Sequence, residues 1–429
     1  MIKGMTDAQT RRAREGICLP VRYRNPVPDT MTRLSDPRPA GDLNSLKQRN
    51  RLAILDALRR TPGMTRTELA RQTGLTKVTV GSAVAPLLES GWLEEGALQY
   101  RRGGRPGREL SLGEHHHLML GAEVGVHELR VMACTLSGAT LAQRCISLSS
   151  PAPDDAARLL AHEITTLLES DDLGARRLLG IGVALPGPVM PGEPLLGLAP
   201  NLGWHQVRFL DLLADHLPAL SGIRLMDNES SLAAFGELYF ATHGAPESLL
   251  FVSADTGIGS GLVENGAPPR IIRGVHGLAG EIGHTLLDPD GTLCHCGNYG
   301  CAETLVSGWR LRQQLGIEDS VDLVDGVAAL PDATTAPVLK QAGQALGMLL
   351  HNLHHTLNPA EIVIGGTLTT LGPAFMDPAL ARFASTQRRL LPEATLITPR
   401  VLAQHQLIPA RGAAAMVMAS ALSLLESSE

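Results

Sequence analysis

The sequence predicts an α/β protein in which a winged helix-turn-helix precedes a larger, two-lobed body. Three observations carry this. Residues 44–112 hold a helix, a glycine-containing turn and a second helix; apolar strand runs alternate with helices from residue 118 onward; and two strand-and-turn starts of the same kind occur within that stretch. Alternating strands and helices imply a layered α/β domain, and the paired starts imply two lobes around a cleft. At 429 residues, the chain has room for two or three domains. An apolar content of 44% with only 3% aromatic residues gives it an aliphatic core.

Composition also narrows the function classes. No uninterrupted apolar run reaches the length of about 18 residues that a spanning helix needs. The N-terminus is basic but lacks an apolar stretch with a small-residue cleavage site, so it does not read as a secretory signal. Three of the six cysteines crowd into residues 294–301, which fits metal ligation in a reducing cytoplasm better than a disulfide framework. The net charge of −6 is unevenly spread. Residues 44–112 carry twelve Lys/Arg against six Asp/Glu, whereas residues 113–429 carry 17 against 32. A basic head on an acidic body is the charge distribution of a nucleic-acid-binding module on a soluble carrier.

Residues 1–43 are rich in Arg and Pro without hydrophobic periodicity and read as a disordered extension, with Met31 an alternative start. In the head, Leu46, Leu52, Ile54, Leu55 and Leu58 form a helical stripe that ends at Pro62-Gly63. Thr65 and Glu68 form a capping box for a short second helix that Gly74 ends, and Thr76 starts a third. Pro86 removes a backbone donor from that third helix. In a helix-turn-helix, the early residues of the second motif helix face base edges; here they are Lys77, Val78, Thr79, Gly81 and Ser82. Two short apolar segments then flank a Gly/Arg tip containing Arg101, Arg102 and Arg105, as in a β-wing whose arginines enter a minor groove. The head resembles the winged helix-turn-helix of bacterial repressors; a three-helix protein-interaction module is the alternative.

After a linker over 113–117, the body spans 118–429. Strands are expected from Leu118 to Val126, Leu129 to Thr135 and Thr140 to Leu148, then a helix over 155–169 and a strand from Leu178 to Leu185. The second start runs from Ser248 to Ser253 into the glycine loop Asp255 to Leu262. Pro200-Asn201-Leu202-Gly203-Trp204, that glycine loop, Gly280-Glu281-Ile282-Gly283-His284, the segment Cys294 to Glu303, and Ile362-Val363-Ile364-Gly365-Gly366 together resemble the ROK family (repressors, open reading frames and kinases). The resemblance implies an actin-like ATPase duplication over essentially all of 118–429. With the winged head, the whole chain resembles ROK transcriptional repressors of the xylose- and N-acetylglucosamine-repressor type.

Three thiolates and an imidazole suit tetrahedral zinc. The expected ligands are His284, Cys294, Cys296 and Cys301, with Gly297 and Gly300 permitting the turn that returns the last thiolate. Four protein ligands leave no open position, so such a site is structural. His295 reads as a loop residue pointing away. By family resemblance Glu281, His284 and Glu303 hold sugar hydroxyls, with Asn201, Asn228 and Glu229 on the facing wall.

A ROK sugar kinase further needs a catalytic Asp and two glycine loops for ATP. Gly236-Glu237 aligns Asn228-Glu229-Ser230-Ser231 with the catalytic segment, so Glu229 replaces the Asp. One extra methylene misplaces a base by about an ångström, an error worth on the order of 100-fold in rate. The first phosphate loop reads Glu123-Val124-Gly125-Val126-His127, with side chains where close backbone approach to a phosphate is required. The second, Thr256 to Gly261, survives. The expectation is therefore a sugar-responsive regulator of transcription without kinase activity. It would act on double-stranded operator DNA as a homodimer or homotetramer, and it would carry structural Zn²⁺. An active kinase with a DNA-binding head, and a metal-stabilised adaptor without a sugar, are the alternatives.

Overall fold

The computed structural model describes residues 43–99, 107–148, 152–169, 171–241, 244–266, 268–390, 396–402 and 407–424. The extension over 1–43 therefore lies outside the described residues except for Leu43, and so do Arg101, Arg102 and Arg105 of the wing tip.

The head is built from α1 (Leu43–Arg60), β1 (Met64–Thr65), α2 (Arg66–Thr73), α3 (Lys77–Glu89), β2 (Leu93–Gln99) and β3 (Gly107–Leu112). The Thr65/Glu68 capping box is present in both directions, and Thr76 caps α3 by accepting from the Thr79 amide. Pro86 lies inside α3 without ending it. The wing strands pair antiparallel, and β1 adds a third, short strand on the other side of β3. Two-residue β1 has no pattern of its own in the sequence; it forms because Met64 and Thr65 lie opposite Leu110 and Glu109.

The body contains two sheets of identical topology. In the first, β4 (His117–Val124), β5 (Glu128–Cys134) and β6 (Thr140–Ser147) form an antiparallel meander, and β7 (Arg177–Leu185) and β10 (Ile223–Asn228) add to β4 in parallel. α4 (Pro153–Leu168) and α6 (Phe209–His216) cover its outer face around Leu160, Ile164, Phe209 and Leu213. The short α5 (Asp171–Gly174) and the ribbon β8 (Leu196–Ala199) and β9 (Trp204–Val207) complete the lobe, and α7 (Glu229–Tyr239) follows β10.

In the second sheet, β11 (Ser248–Ala254), β12 (Ile258–Glu264) and β13 (Arg270–Ile271) form the meander, with β14 (Glu361–Gly365) and β15 (Arg400–Val401) in parallel. Between them come α8 (Glu303–Val306), α9 (Gly308–Leu315), α10 (Leu323–Ala328) and the long α11 (Asp332–Leu357), which packs with α12 (Pro373–Leu390). The chain ends its described part in α13 (Ile408–Leu424). The repeated order, two antiparallel neighbours on one side of the first strand and two parallel on the other, is the duplication anticipated from the paired starts.

α7 and α13 occupy the layer between the sheets: α13 lies on β4 and β7, and α7 lies on β11 and β12. Their contact is backbone to backbone. A Cβ on Gly412 would stand 1.8 Å from the Leu232 carbonyl oxygen, and one on Gly236 would stand 2.6 Å from the Gly412 Cα.

Head and body form one compact unit from Asn44 to Glu429. Over the segment expected as a linker, the Gly113 amide donates to the Trp92 carbonyl, the Arg177 amide donates to the His116 carbonyl, and the Trp92 ring lies 4.8 Å from that of His117. α1 docks on the end of α7. The Arg59 guanidinium, its side chain 4% exposed, lies over the Tyr239 ring, donates to the Tyr239 carbonyl and pairs with Asp56. Arg60 donates to the Gly266 carbonyl at 2.9 Å. A buried, stacked and doubly bonded arginine is a specific contact that Lys does not reproduce.

Any side chain at Gly412 must push α7 and α13 apart. Gly412→Val is expected to lower stability by about 1–3 kcal/mol or more, read as a fall in melting temperature. An unchanged melting curve would contradict the close packing.

Candidate ligand cleft, metal cluster and DNA-facing helix

The tips of the two β-meanders face a common cleft. Residues 125–127 join β4 to β5, and Asp255, Thr256 and Gly257 join β11 to β12; all six line one cavity of about 460 Å³. Asn201, Asn228, Glu229, Glu281, His284 and Glu303, the residues expected to face a sugar, line the same cavity.

Several of these side chains are already engaged. Asn228 caps α7: its Oδ1 accepts from the Ser230 and Ser231 amides at 3.0 Å, and its Nδ2 donates to the Gly187 carbonyl and to Glu229. Its amide therefore fixes where α7 starts and holds Glu229 in the cleft. Glu303 Oε1 accepts from the Ile258 amide at 2.9 Å, and Oε2 faces the Trp309 indole N–H at 3.4 Å. Asn201 is exposed and Glu281 half-buried at the wall, with hydrogen-bonding capacity directed at the cavity.

The carboxylates crowd one another. Burial, reinforced by Asp255 and Glu128, pushes the Glu123 carboxyl up to about 7 against the pull of Arg130. Burial, with Glu281, Glu123 and Asp255 adding repulsion, raises Glu229 well above the ordinary carboxylate range. Burial raises Glu281 as well, opposed by His284.

His284, Cys294, Cys296 and Cys301 come together with their ligand atoms all within 4.8 Å of one another. His284 Nδ1 lies 3.7 Å from Cys294 Sγ, and Cys296 Sγ lies 3.7 Å from Cys301 Sγ. A tetrahedral ion with metal–sulfur bonds of about 2.3 Å spaces its sulfurs at roughly 3.8 Å, so the donor set has the dimensions of such a site. The loop is preset by its backbone. The Cys294 amide donates to the Asn298 carbonyl, and Gly300 has φ of 70° with the Asp288 carbonyl oxygen 1.6 Å from where a Cβ would be. With Nδ1 turned to the thiols, His284 presents Nε2 to the cleft, 4.0 Å from Glu281.

His295 departs from its expected role as an outward loop residue. It lines the cleft and stacks on Trp309 with ring centroids 4.2 Å apart. The backbone turn at the cysteines carries it inward, which spacing alone does not reveal. Arg130 is a further cavity-lining residue that sequence reasoning missed, visible only as a charge within an apolar strand. Asp255 is visible in the sequence only as the first residue of the glycine loop, and Trp309 backs the cavity through His295 and Glu303.

On α3, Lys77, Val78 and Ser82 are exposed and Thr79 and Gly81 are half-buried, while Val80, Val84 and Leu87 enter the core. Val78 is 83% exposed, an apolar side chain held in solvent on an open helix face. The Thr79 hydroxyl is shared with Thr76 at 2.8 Å.

The profile of the ROK family matches residues 119–420, and that of a winged helix-turn-helix DNA-binding module matches residues 47–94. The chain is 27% identical to the xylose repressor of Bacillus subtilis over 383 residues, 88% of this chain and 97% of that protein. It is 26% identical to the N-acetylglucosamine repressor of Escherichia coli O6:H1 over 360 residues, 81% of this chain and 87% of that protein. Among solved structures, a ROK family transcriptional regulator described as a homologue of the E. coli MLC protein superposes with a TM-score of 0.71 at 22% identity, covering 89% of this chain and 99% of that one. A ROK family glucokinase from Streptomyces griseus, in complex with glucose and AMPPNP, gives a TM-score of 0.58 at 20% identity and covers 70% of this chain and 98% of its own. These two likenesses establish the fold.

Because the Glu229 carboxyl holds its proton more tightly in the fold than in the unfolded chain, the stability tied to it is complete below about pH 4.3 and is lost as pH rises through its higher folded value. Glu229→Gln removes that dependence. Between about pH 5 and 8 the melting temperature of the wild type should fall relative to the variant; parallel curves would show that Glu229 ionises as an ordinary carboxylate.

Proposed function

The chain belongs to the ROK family, and from that premise we propose that it is a sugar-responsive, DNA-binding transcriptional regulator, a repressor of carbohydrate-metabolism genes. The observation that carries the reading is α7. Its N-cap, Asn228, stands in the ligand cleft, and its last residue, Tyr239, holds Arg59 of the head. A helix of 11 residues is a rigid strut of about 16 Å. A sugar that contacts Glu229 and shifts the first turn of α7 therefore moves the seat of α1, and with it the pose of α3. Sugar and operator then influence each other's binding by equal factors.

Phosphoryl transfer is not favoured. The relatives that align with head and body together are repressors, Glu229 stands in place of the catalytic Asp, and Val126 and His127 put side chains into the first phosphate loop. Lys77, Val78, Thr79, Gly81 and Ser82 would meet base edges, with Arg101, Arg102 and Arg105 in the adjoining minor groove. Operators with two half-sites require at least two heads, so a homodimer or homotetramer is the working assembly. A cytoplasmic location fits thiols kept reduced, and no helix among the described residues is long and apolar enough to cross a membrane.

The ion for the His-Cys₃ cluster is Zn²⁺, which three thiolates and an imidazole suit in a closed tetrahedron. When bound, it supplies cross-linking of the 284–301 loop and no open coordination position. His284 then has its ring plane fixed, with Nε2 toward a sugar hydroxyl. Purified protein should contain about one zinc per chain by elemental analysis. Cys301→Ser should lose it and melt earlier, while full zinc occupancy in the variant would remove Cys301 from the ligand set.

The functional test is binding to the chain's own upstream DNA across a salt series, with and without a panel of sugars. The affinity should fall steeply with salt. Lys77→Ala should weaken it several-fold, and one sugar should change it for the wild type. Arg59→Ala should bind that sugar yet transmit less of the change to DNA. ATP-dependent sugar phosphorylation abolished by Glu229→Gln would instead identify a kinase.

A further inference from the structure

The second phosphate loop keeps its glycines, yet the amide at its start is already occupied from within. Asp255 Oδ1 accepts from the Thr256 amide at 2.8 Å, Oδ2 accepts from the Thr367 amide at 3.2 Å, and the Thr367 hydroxyl lies 3.2 Å from both oxygens. Backbone N–H groups at the tip of a glycine loop are what a phosphate takes in such folds. Here a side-chain carboxylate of this chain takes the Thr256 amide of the loop and the Thr367 amide of the segment after β14, and the Asp255 carbonyl in turn accepts from the Gly308 amide at the start of α9.

The cations of the cleft are similarly committed. Arg130, on the strand after the first loop, pairs with Glu123 at 3.2 Å and Glu128 at 2.6 Å. Arg312 donates to the carbonyls of Glu318 and Val321 at 2.9 and 2.6 Å. No lysine is among the described residues lining the cavity. Glu123, Glu229, Asp255, Glu281 and Glu303 remain as its acidic walls. A phosphate ester entering this space would meet the Asp255 carboxylate at the loop, with Arg130 and Arg312 already committed elsewhere, and like-charge juxtaposition in a desolvated site is strongly unfavourable.

Resting on the sugar-responsive reading, we propose that the cleft is selective for a non-phosphorylated sugar, and that Asp255, by filling the anion position of the second loop, is the residue that excludes phosphorylated ones. Hydroxyls can donate to the crowded carboxylates, which makes the acidic walls an asset for a neutral polyol and an obstacle to its phosphate. The same carboxylate closes the loop to the phosphates of a nucleotide.

The test uses the full chain and thermal stabilisation followed by calorimetry. The probes are D-xylose, D-glucose and N-acetyl-D-glucosamine, each against its terminal phosphate ester, with inorganic phosphate and an ATP analogue alongside. A parent sugar should bind on the order of 100-fold more tightly than its ester, and neither inorganic phosphate nor the nucleotide should stabilise the wild type. Asp255→Asn, which keeps one acceptor oxygen for the Thr256 amide and removes the charge together with the acceptor facing the Thr367 amide, should narrow the gap between sugar and ester at least about tenfold. A phosphate ester that binds more tightly than its parent overturns the inference and leaves the sugar reading standing; so does a gap unaltered in a folded Asp255→Asn. A panel in which nothing binds, neutral or phosphorylated, overturns the sugar reading itself.

Discussion

α13 meets its neighbours through backbone, and the arrangement of the whole body follows from that. On one side, Cβ atoms at Gly121 and Gly182 of the first sheet would lie 1.9 and 2.3 Å from the Ala410 and Ala413 carbonyl oxygens. On the other, Gly412 abuts α7. Such approach is available only where side chains are missing, and it fixes α13 and α7 against each other with little room for sliding. Because α7 also carries Asn228 and Glu229 at its start and Tyr239 at its end, the placement of the cleft and the placement of the head are consequences of one contact.

Much of this architecture was legible in the sequence because its signals are local. The Thr65/Glu68 box, the Thr76 cap and the alternating strands of the first meander each depend on neighbours a few residues away and form where the pattern puts them. In the second meander, the glycines of residues 258–262, expected as a loop, lie instead in the strand β12. The cysteine cluster was legible for a different reason: three thiols and an imidazole at short spacing form a donor set with few uses besides holding a metal. What escaped depends on distant partners. β1 exists only through β3, Arg59 is buried only because Tyr239 lies beneath it, and His295 turns inward only because the loop around it closes. Asp255 escaped because its role is set by Thr367, 112 residues further along the chain.

The cleft combines the two-hairpin frame of its fold with charges that are largely paired within the chain. The two hairpin tips face each other, and the residues expected from the sequence to face a sugar line one cavity. The charges are held in pairs of their own: Glu123 holds Arg130, Asp255 holds one amide of its own loop and that of Thr367, and Glu229 is raised by burial among other acids. Sites that bind triphosphates need an excess of positive charge and free backbone donors. This one keeps the second loop's glycines while Asp255 takes its first amide and Arg130 is paired with Glu123, so glycine spacing alone overstates what the loop can hold.

The join between head and body has a geometric corollary. A reading head on a flexible leash can adjust to operators of different lengths, since the leash absorbs the difference. Here residues 113–117 pack between Trp92 and β4, and Arg59 of α1 is clasped against α7. Whatever surface two copies share, the separation of their reading helices is then a dimension of the folded body. The molecule measures the interval between half-sites as a caliper does, and it can tolerate only those intervals to which the body itself can be set.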